Sequence, residues 1–286
     1  SRELGIFLRE KGPILDIEQQ TVLQQLWIKA KTLARENPLS FIPGRPGVYH
    51  IRKEWLRTAY PKGEEFMFFS LHRQYPSYIA PYQITFSVIP PQHEQVIHGH
   101  LQTQELTVSL GLGMYFKVFR FKDNQVVSSE RVTVERYSGT GYGINTPHNI
   151  GNDSTVPCKN ITVKYGEAVL DRWDLSEAPP ENTFTYLSGV VPSEVSSLDG
   201  VKSYYFRKEH LFYRISELPV GASLSLDTIS GKEKGFFVVD GIVTCNGVRA
   251  GAGDILYIIK EDGKAFDIKN QAEQPAVIFA VDLINE

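Results

Sequence analysis

The sequence predicts an all-β protein: two antiparallel β-barrels in tandem, entered through an N-terminal helical segment. Three observations predict it. Aromatic residues reach 12%, with 14 Tyr and 16 Phe, which suits strands better than helices. From about residue 64 onward, short β-rich runs alternate with turn signals, the texture of a sandwich or barrel. Two half-chains of similar length and texture flank a looser stretch at 171–200 that contains Pro179-Pro180. With 286 residues, 42% of them hydrophobic and 22% charged, the chain can pack one large domain or two ordinary ones.

Residues 17–35 carry the helical segment. Val22, Leu23, Leu26, Trp27, Ala30, Leu33 and Ala34 recur at three- and four-residue spacing, and Asn37-Pro38 stops the run. Pro38, Pro43, Pro46 and Pro61 make 38–62 an irregular wrapping segment, so 1–62 precedes the first barrel. That barrel is expected over 63–175. Its strand signals are Phe66 to Phe69, Ile84 to Ile89, Leu106 to Leu110, Met114 to Phe121 and Arg131 to Glu135. Pro90-Pro91, Lys122-Asp123-Asn124 and Ser138-Gly139-Thr140-Gly141 separate them. The second barrel, 176–286, reads from Ser223 to Leu226, Phe236 to Val239, Ile242 to Thr244, Asp254 to Ile259 and Ala276 to Val281.

Composition excludes several classes of function. Lys and Arg number 30 against 33 Asp and Glu, so no basic excess exists to hold a nucleic-acid backbone. Cys158 and Cys245 make neither a disulfide framework nor a cysteine zinc site, and read as buried thiols of a cytosolic protein. No apolar run approaches the ~18 residues of a membrane helix. Ser1-Arg2-Glu3-Leu4 is charged where a signal peptide would turn apolar, so a cytoplasmic location is expected. The start at Ser1 suits a trimmed chain or a piece of something longer. Exposed sheet edges make a homodimer the expected assembly.

The chemistry concentrates in two segments. In Ile97-His98-Gly99-His100-Leu101-Gln102-Thr103-Gln104-Glu105, the two histidines leave one face of a strand. Glu105 is an odd step from His100 and joins that site only if the chain turns at Gln102-Thr103-Gln104. The second segment, Gly141-Tyr142-Gly143-Ile144-Asn145-Thr146-Pro147-His148, offers a fourth ligand on a distant strand. Three imidazoles and a carboxylate suit one divalent transition metal ion, Fe(II), Mn, Ni or Zn alike; Fe(II) is favoured only with a dioxygenase expectation.

These residues resemble the cupin family. Its first motif runs His-x-His, three or four residues, Glu, six residues, Gly; His98, His100 and Glu105 match it, with Gly111 and Gly113 flanking the closing position. Its second motif runs Gly, five residues, Pro-x-Gly, two residues, His, three residues, Asn. Gly141 and Pro147, then His148 and Asn152, keep the outer spacings, while the middle is shortened to Pro147-His148. The resemblance covers roughly 64–170. It implies a metal held by His98, His100, Glu105 and His148, with Glu105 tuning reactivity as the only protein charge on the ion. The second half resembles another cupin barrel through Ala250-Gly251-Ala252-Gly253-Asp254. It has no histidine in 211–286 and is expected to have lost the metal.

Around the site, Thr107 shares the strand face of Glu105, and Tyr142 and Asn145 stand near His148. Tyr115 and Lys117 are candidates for the same interior, Lys117 because a lysine inside a barrel needs an anion. His93 falls on the opposite strand face from the His98 and His100 pair, and His50, His72 and His210 are isolated. The first functional expectation is a dioxygenase acting on a small organic substrate. The alternatives are a non-redox isomerase, epimerase or lyase that uses the metal as Lewis acid, and a non-catalytic small-ligand sensor.

Overall fold

A computed structural model describes residues 39, 42–60, 62–73, 82–122, 125–166, 172–174, 186–208, 211–226 and 231–283. The helix expected at 17–35, Pro179-Pro180 and His210 lie outside these residues. Strands come in chain order as β1 (Gly47–Ile51), β2 (Arg57–Ala59), β3 (Glu65–Phe69), β4 (Tyr82–Ile89), β5 (His93–Glu94), β6 (His98–His100), β7 (Thr103–Ser109) and β8 (Met114–Lys122). There follow β9 (Gln125–Thr133), β10 (Gly139–Tyr142), β11 (His148–Asn152), β12 (Cys158–Gly166), β13 (Arg172–Asp174), β14 (Tyr186–Val190), β15 (Glu194–Leu198) and β16 (Val201–Lys208). The last eight are β17 (Leu211–Leu218), β18 (Ser223–Ser225), β19 (Glu233–Asp240), β20 (Ile242–Cys245), β21 (Val248–Gly251), β22 (Ile255–Ile259), β23 (Asp267–Lys269) and β24 (Ala276–Leu283).

The strands form two large and two small antiparallel sheets. One large sheet runs β14-β10-β7-β12-β4-β3-β2, and the other β1-β22-β19-β24-β17-β16-β15. Position for position the two orders are the same architecture repeated. Each large sheet faces a smaller one, β13-β6-β11-β8-β9 with β5 on β11 in the first half, and β18-β23-β20-β21 in the second. The result is the expected pair of tandem barrels.

Period-two alternation explains how the halves meet. On β4, Ile84 and Phe86 belong to a core shared with Phe237 and Phe279 of the second half. Leu106, Val108, Ile161 and Val163 from β7 and β12 join the same core. Phe237 stacks against Phe69 at 4.7 Å and lies 4.9 Å from Phe86, so the outer faces of the large sheets weld the barrels together. The intervening residues face into the barrels.

Two segments are more ordered than the sequence suggests. Within 38–62, read as irregular, β1 pairs with β22 of the second barrel and β2 with β3 of the first. Within 171–200, read as a loose join, β14 pairs with β10, and β15 forms a hairpin with β16. The hairpin signal is Asp199-Gly200, whose positive φ values of 49° and 81° are what a tight two-residue turn demands. Each barrel's large sheet thus ends on a strand that precedes the other barrel in sequence.

Candidate metal centre

The carriers of the site sit on facing sheets. His98 and His100 lie on β6 and His148 opposite His98 on β11, all in the small sheet of the first barrel. Glu105 lies on β7 in the large sheet. The turn at Leu101-Gln102 carries the chain from one sheet to the other, which converts the odd spacing of Glu105 into a position facing the imidazoles. The four side chains are buried, and one ligand atom from each lies within 4.8 Å of the others. Ligand atoms ~2.0–2.2 Å from a common ion fit inside that span.

Donor chemistry agrees. His98 Nδ1 donates to the Val96 carbonyl at 3.0 Å and His148 Nδ1 to the Thr146 carbonyl at 2.7 Å. A carbonyl only accepts, so both Nδ1 atoms carry the proton and both Nε2 atoms offer a lone pair. His148 Nε2 stands 2.9 Å from Glu105 Oε2, and His100 Nε2 3.0 Å from Glu105 Oε1. Tyr142 stacks on His148 with centroids 4.0 Å apart and fixes its ring plane. Burial pushes the Glu105 carboxyl up, but the Lys164 ammonium with His100 and His148 outweighs it and holds the carboxyl well below its usual range. Burial lowers His148 despite the opposing Glu105 charge, which favours the neutral, ligating imidazole. The residues present therefore fit a divalent ion.

The structure also supports the centre from behind. Asn152 Nδ2 donates to the carbonyls of Ile89, Pro90 and Val156, and its Oδ1 accepts from Ser154, which ties the end of β11 to the loop after it. Gly113, at φ 86°, lets that loop approach; a Cβ there would lie 2.6 Å from the Ser154 Cβ. Asn145 also takes positive φ, 54°, and its backbone N–H donates to the His100 carbonyl at 2.5 Å. The shortened second motif closes in this way.

Not every expected residue reaches the centre. Thr107 does face the interior, bonded to Thr162 at 2.8 Å one rung from Glu105. Tyr115 and Lys117 do not. Val118 lies opposite His148 and Phe116 opposite Ile150, so Tyr115 and Lys117 take the other face of β8. There Tyr115 Oη and Lys117 Nζ both donate to Glu94 at 2.5 Å, and Asn149 adds a third bond at 2.9 Å. The phase of β8 turns Lys117 away from the interior, and the anion that Lys117 needs is Glu94. His93 pairs with Glu64 at 2.5 Å outside the cluster.

One residue was missed. Lys164 Nζ lies 2.7 Å from Glu105 Oε1 and 3.4 Å from His100 Nε2. Its signal was present in the alternation Asn160, Thr162, Lys164 against Ile161, Val163, Tyr165, which marks a strand with one polar face.

No family model matches the sequence, and no curated protein matches it either. Solved structures do. A 7S globulin from Momordica charantia superposes with a TM-score of 0.57 at 8% identity, covering 83% of this chain and 84% of that one. An oxalate decarboxylase variant from Bacillus subtilis gives 0.56 at 12%, covering 88% and 82%. A formate complex of oxalate decarboxylase from Lactobacillus farciminis gives 0.52 at 11%, covering 82% and 86%. The fold is that of the cupins. A globulin and a decarboxylase share it, so the cupin fold alone does not name a reaction; the site must. Among the described residues no helix is long and apolar enough to cross a membrane.

Proposed function

We propose that this chain is a two-barrel cupin enzyme that holds one divalent metal ion on His98, His100, Glu105 and His148 and acts on a small organic substrate. The observation that carries this reading is the convergence of four buried ligand atoms within 4.8 Å. Bound there, the ion supplies either Lewis acidity or a redox centre for dioxygen chemistry. The protein's own part is to present three imidazoles, two of them with Nδ1 tied to backbone carbonyls, one carboxylate, and walls that exclude water. Tyr142, Asn145 and Thr107 flank the ligands and belong to the substrate's surroundings in this reading. The working division is 1–62, 63–175 and 176–286, with the metal in the middle segment. A cytoplasmic homodimer without nucleic acid is part of the same proposal.

The first reading of the reaction is a dioxygenase with Fe(II). A lyase reading has equal support, because the similar structures include oxalate decarboxylases, one of them described through its Mn(II) centres. Elemental analysis of the purified protein, followed by small carboxylic acids and sugars in an oxygen electrode and in an anaerobic assay for released CO2, separates the two. Stoichiometric Fe with O2 uptake supports the dioxygenase. Mn with CO2 release and no net O2 uptake supports the lyase. A protein that binds no divalent metal contradicts both.

A further inference from the structure

The inner wall beside the candidate metal centre is built for charge as well as for metal. Strand register sets Gln83 of β4 and Glu105 of β7 on either side of Lys164 of β12, in one row across the large sheet. In the next row Thr85 and Thr107 flank Thr162. Gln83 is 1% exposed and Thr85 4%, and neither Gln83 Nε2 nor Thr85 Oγ1 has a hydrogen-bond partner among the described residues. A buried donor left unmade costs about 1–3 kcal/mol, so a fold keeps such groups where something else completes them.

Lys164 is the charged member of this row. Its ammonium lies 2.7 Å from Glu105 Oε1, and Glu105 is the only carboxylate in the cluster. An ion held by Glu105 repels the ammonium and competes for its partner. An imidazole that ligates a metal adds no charge, so ion, carboxylate and ammonium together would leave the loaded site with excess positive charge. Lys164 already points into this interior, and its long stem, 13% exposed, lets the ammonium shift along the wall.

We propose that Lys164, Gln83 and Thr85 form a carboxylate-binding site beside the metal centre, so that the substrate is a small organic acid. This rests on the metal-enzyme reading above and narrows its substrate class. With Glu105 engaged by the ion, Lys164 serves as the substrate's counter-ion. The amide of Gln83 and the hydroxyl of Thr85 complete the carboxylate's hydrogen bonds. A neutral polyol would satisfy the amide and hydroxyl but leave the ammonium unpaired.

The test uses the full chain, with Mn(II) alone as metal probe, oxalate as acid probe and erythritol as neutral probe. Chelator competition measures Mn(II) affinity, and calorimetry on the loaded protein measures the other two. Lys164→Met is expected to bind Mn(II) about tenfold tighter, because the competing cation is gone, and oxalate at least about tenfold weaker. Gln83→Leu and Thr85→Val should leave Mn(II) affinity unchanged and weaken oxalate about threefold or more. Erythritol should not compete in any of them. If Lys164→Met instead binds Mn(II) more weakly, the lysine only props Glu105 and the proposal fails. It fails equally if oxalate affinity is unchanged in the variants, or if erythritol binds as well as oxalate. Should Lys164→Met not fold, the Gln83 and Thr85 variants decide alone. Normal Mn(II) uptake with unchanged oxalate binding overturns this inference only, whereas no uptake by the unaltered chain overturns the metal centre itself.

Discussion

The two barrels share one strand order and fill it with opposite chemistry. The inner wall of the first reads Gln83, Thr85 and Ser87 on β4, Asn160, Thr162 and Lys164 on β12, and Glu105, Thr107 and Ser109 on β7. The equivalent wall of the second contributes Phe236, Val238, Ala276, Ile278, Ala280 and Leu218 to a buried apolar cluster with Val243, Leu256, Ile258 and Ile268. The first barrel keeps this wall polar around a ligand set and confines its apolar interior largely to the facing sheet, at Met114, Phe116, Val118 and Ile150. The other is mostly carbon, with Ser216 and Lys234 as buried polar members, and, among the described residues, offers no comparable group of ligands. The architecture is indifferent to the choice, because the shared core on the outer faces of the large sheets is apolar in both halves.

The largest effect that this comparison predicts is on stability. Phe236 is fully buried inside the second barrel, and Phe236→Ala should cost about 3–5 kcal/mol in urea unfolding. Thr107→Ala, in the first barrel's wall, should cost about 1 kcal/mol, the worth of one neutral hydrogen bond. Equal costs would mean that the first barrel's interior is as structural as the second's.

The second effect depends on pH. Lys234 lies at the end of the second barrel's apolar wall, and burial, reinforced by Arg214 and Lys260, lowers its ammonium to about 7. Unfolded, it keeps its proton to about 10.4. Between those values the unfolded chain binds more protons, so this group makes stability rise with pH across that window and imposes a constant cost below it. Lys234→Met should remove that rise and raise stability at neutral pH by on the order of a few kcal/mol, read from urea midpoints across the window. A slope unchanged by the substitution would show that the proton release lies elsewhere.

Metal should stabilise next. At a free concentration a hundredfold above its dissociation constant, a divalent ion adds about 2.7 kcal/mol, reversed by a chelator. The same titration on Glu105→Gln should give a smaller shift, because the ion loses its only charged ligand. The smallest effect concerns paired swaps of like shape. Thr85→Val should change stability by less than about 1 kcal/mol, since the hydroxyl it removes is buried without a partner. Val238→Thr in the second barrel should cost about 1–3 kcal/mol, because it buries a hydroxyl in an apolar cluster. Reversed signs in thermal unfolding would break the contrast between the two interiors.

The sequence made the fold and most of the centre legible for identifiable reasons. Period-two alternation and turn residues mark strands directly, and His98, His100, Glu105 and His148 sit in two short segments whose spacing shows through. Tyr115 and Lys117 were misplaced because β8 alternates bulky residues on both faces; Phe116 and Val118 look no more inward than Tyr115 until the pairing with β11 fixes the phase. Lys164 was missed for a different reason. Its importance comes from the cross-strand register with Glu105, 59 positions away in the chain, and local patterning carries no information about which strands become neighbours. The strands β1 and β14 were hidden likewise, since each is completed by the barrel on the far side of the molecule.

The central claim is that one metal ion belongs to the first barrel and depends on four named side chains. Metal content per chain, measured by elemental analysis after loading and desalting, tests it most directly on the unaltered protein and on His148→Ala. His148 is buried against Glu105, so its loss opens the centre and removes one stacking contact to Tyr142, while the shared core and the second barrel's core are left intact. The account predicts one equivalent of divalent metal in the first protein and nearly none in the second, with far-ultraviolet circular dichroism unchanged. Full metal content in His148→Ala, or two equivalents in the unaltered chain, would contradict it.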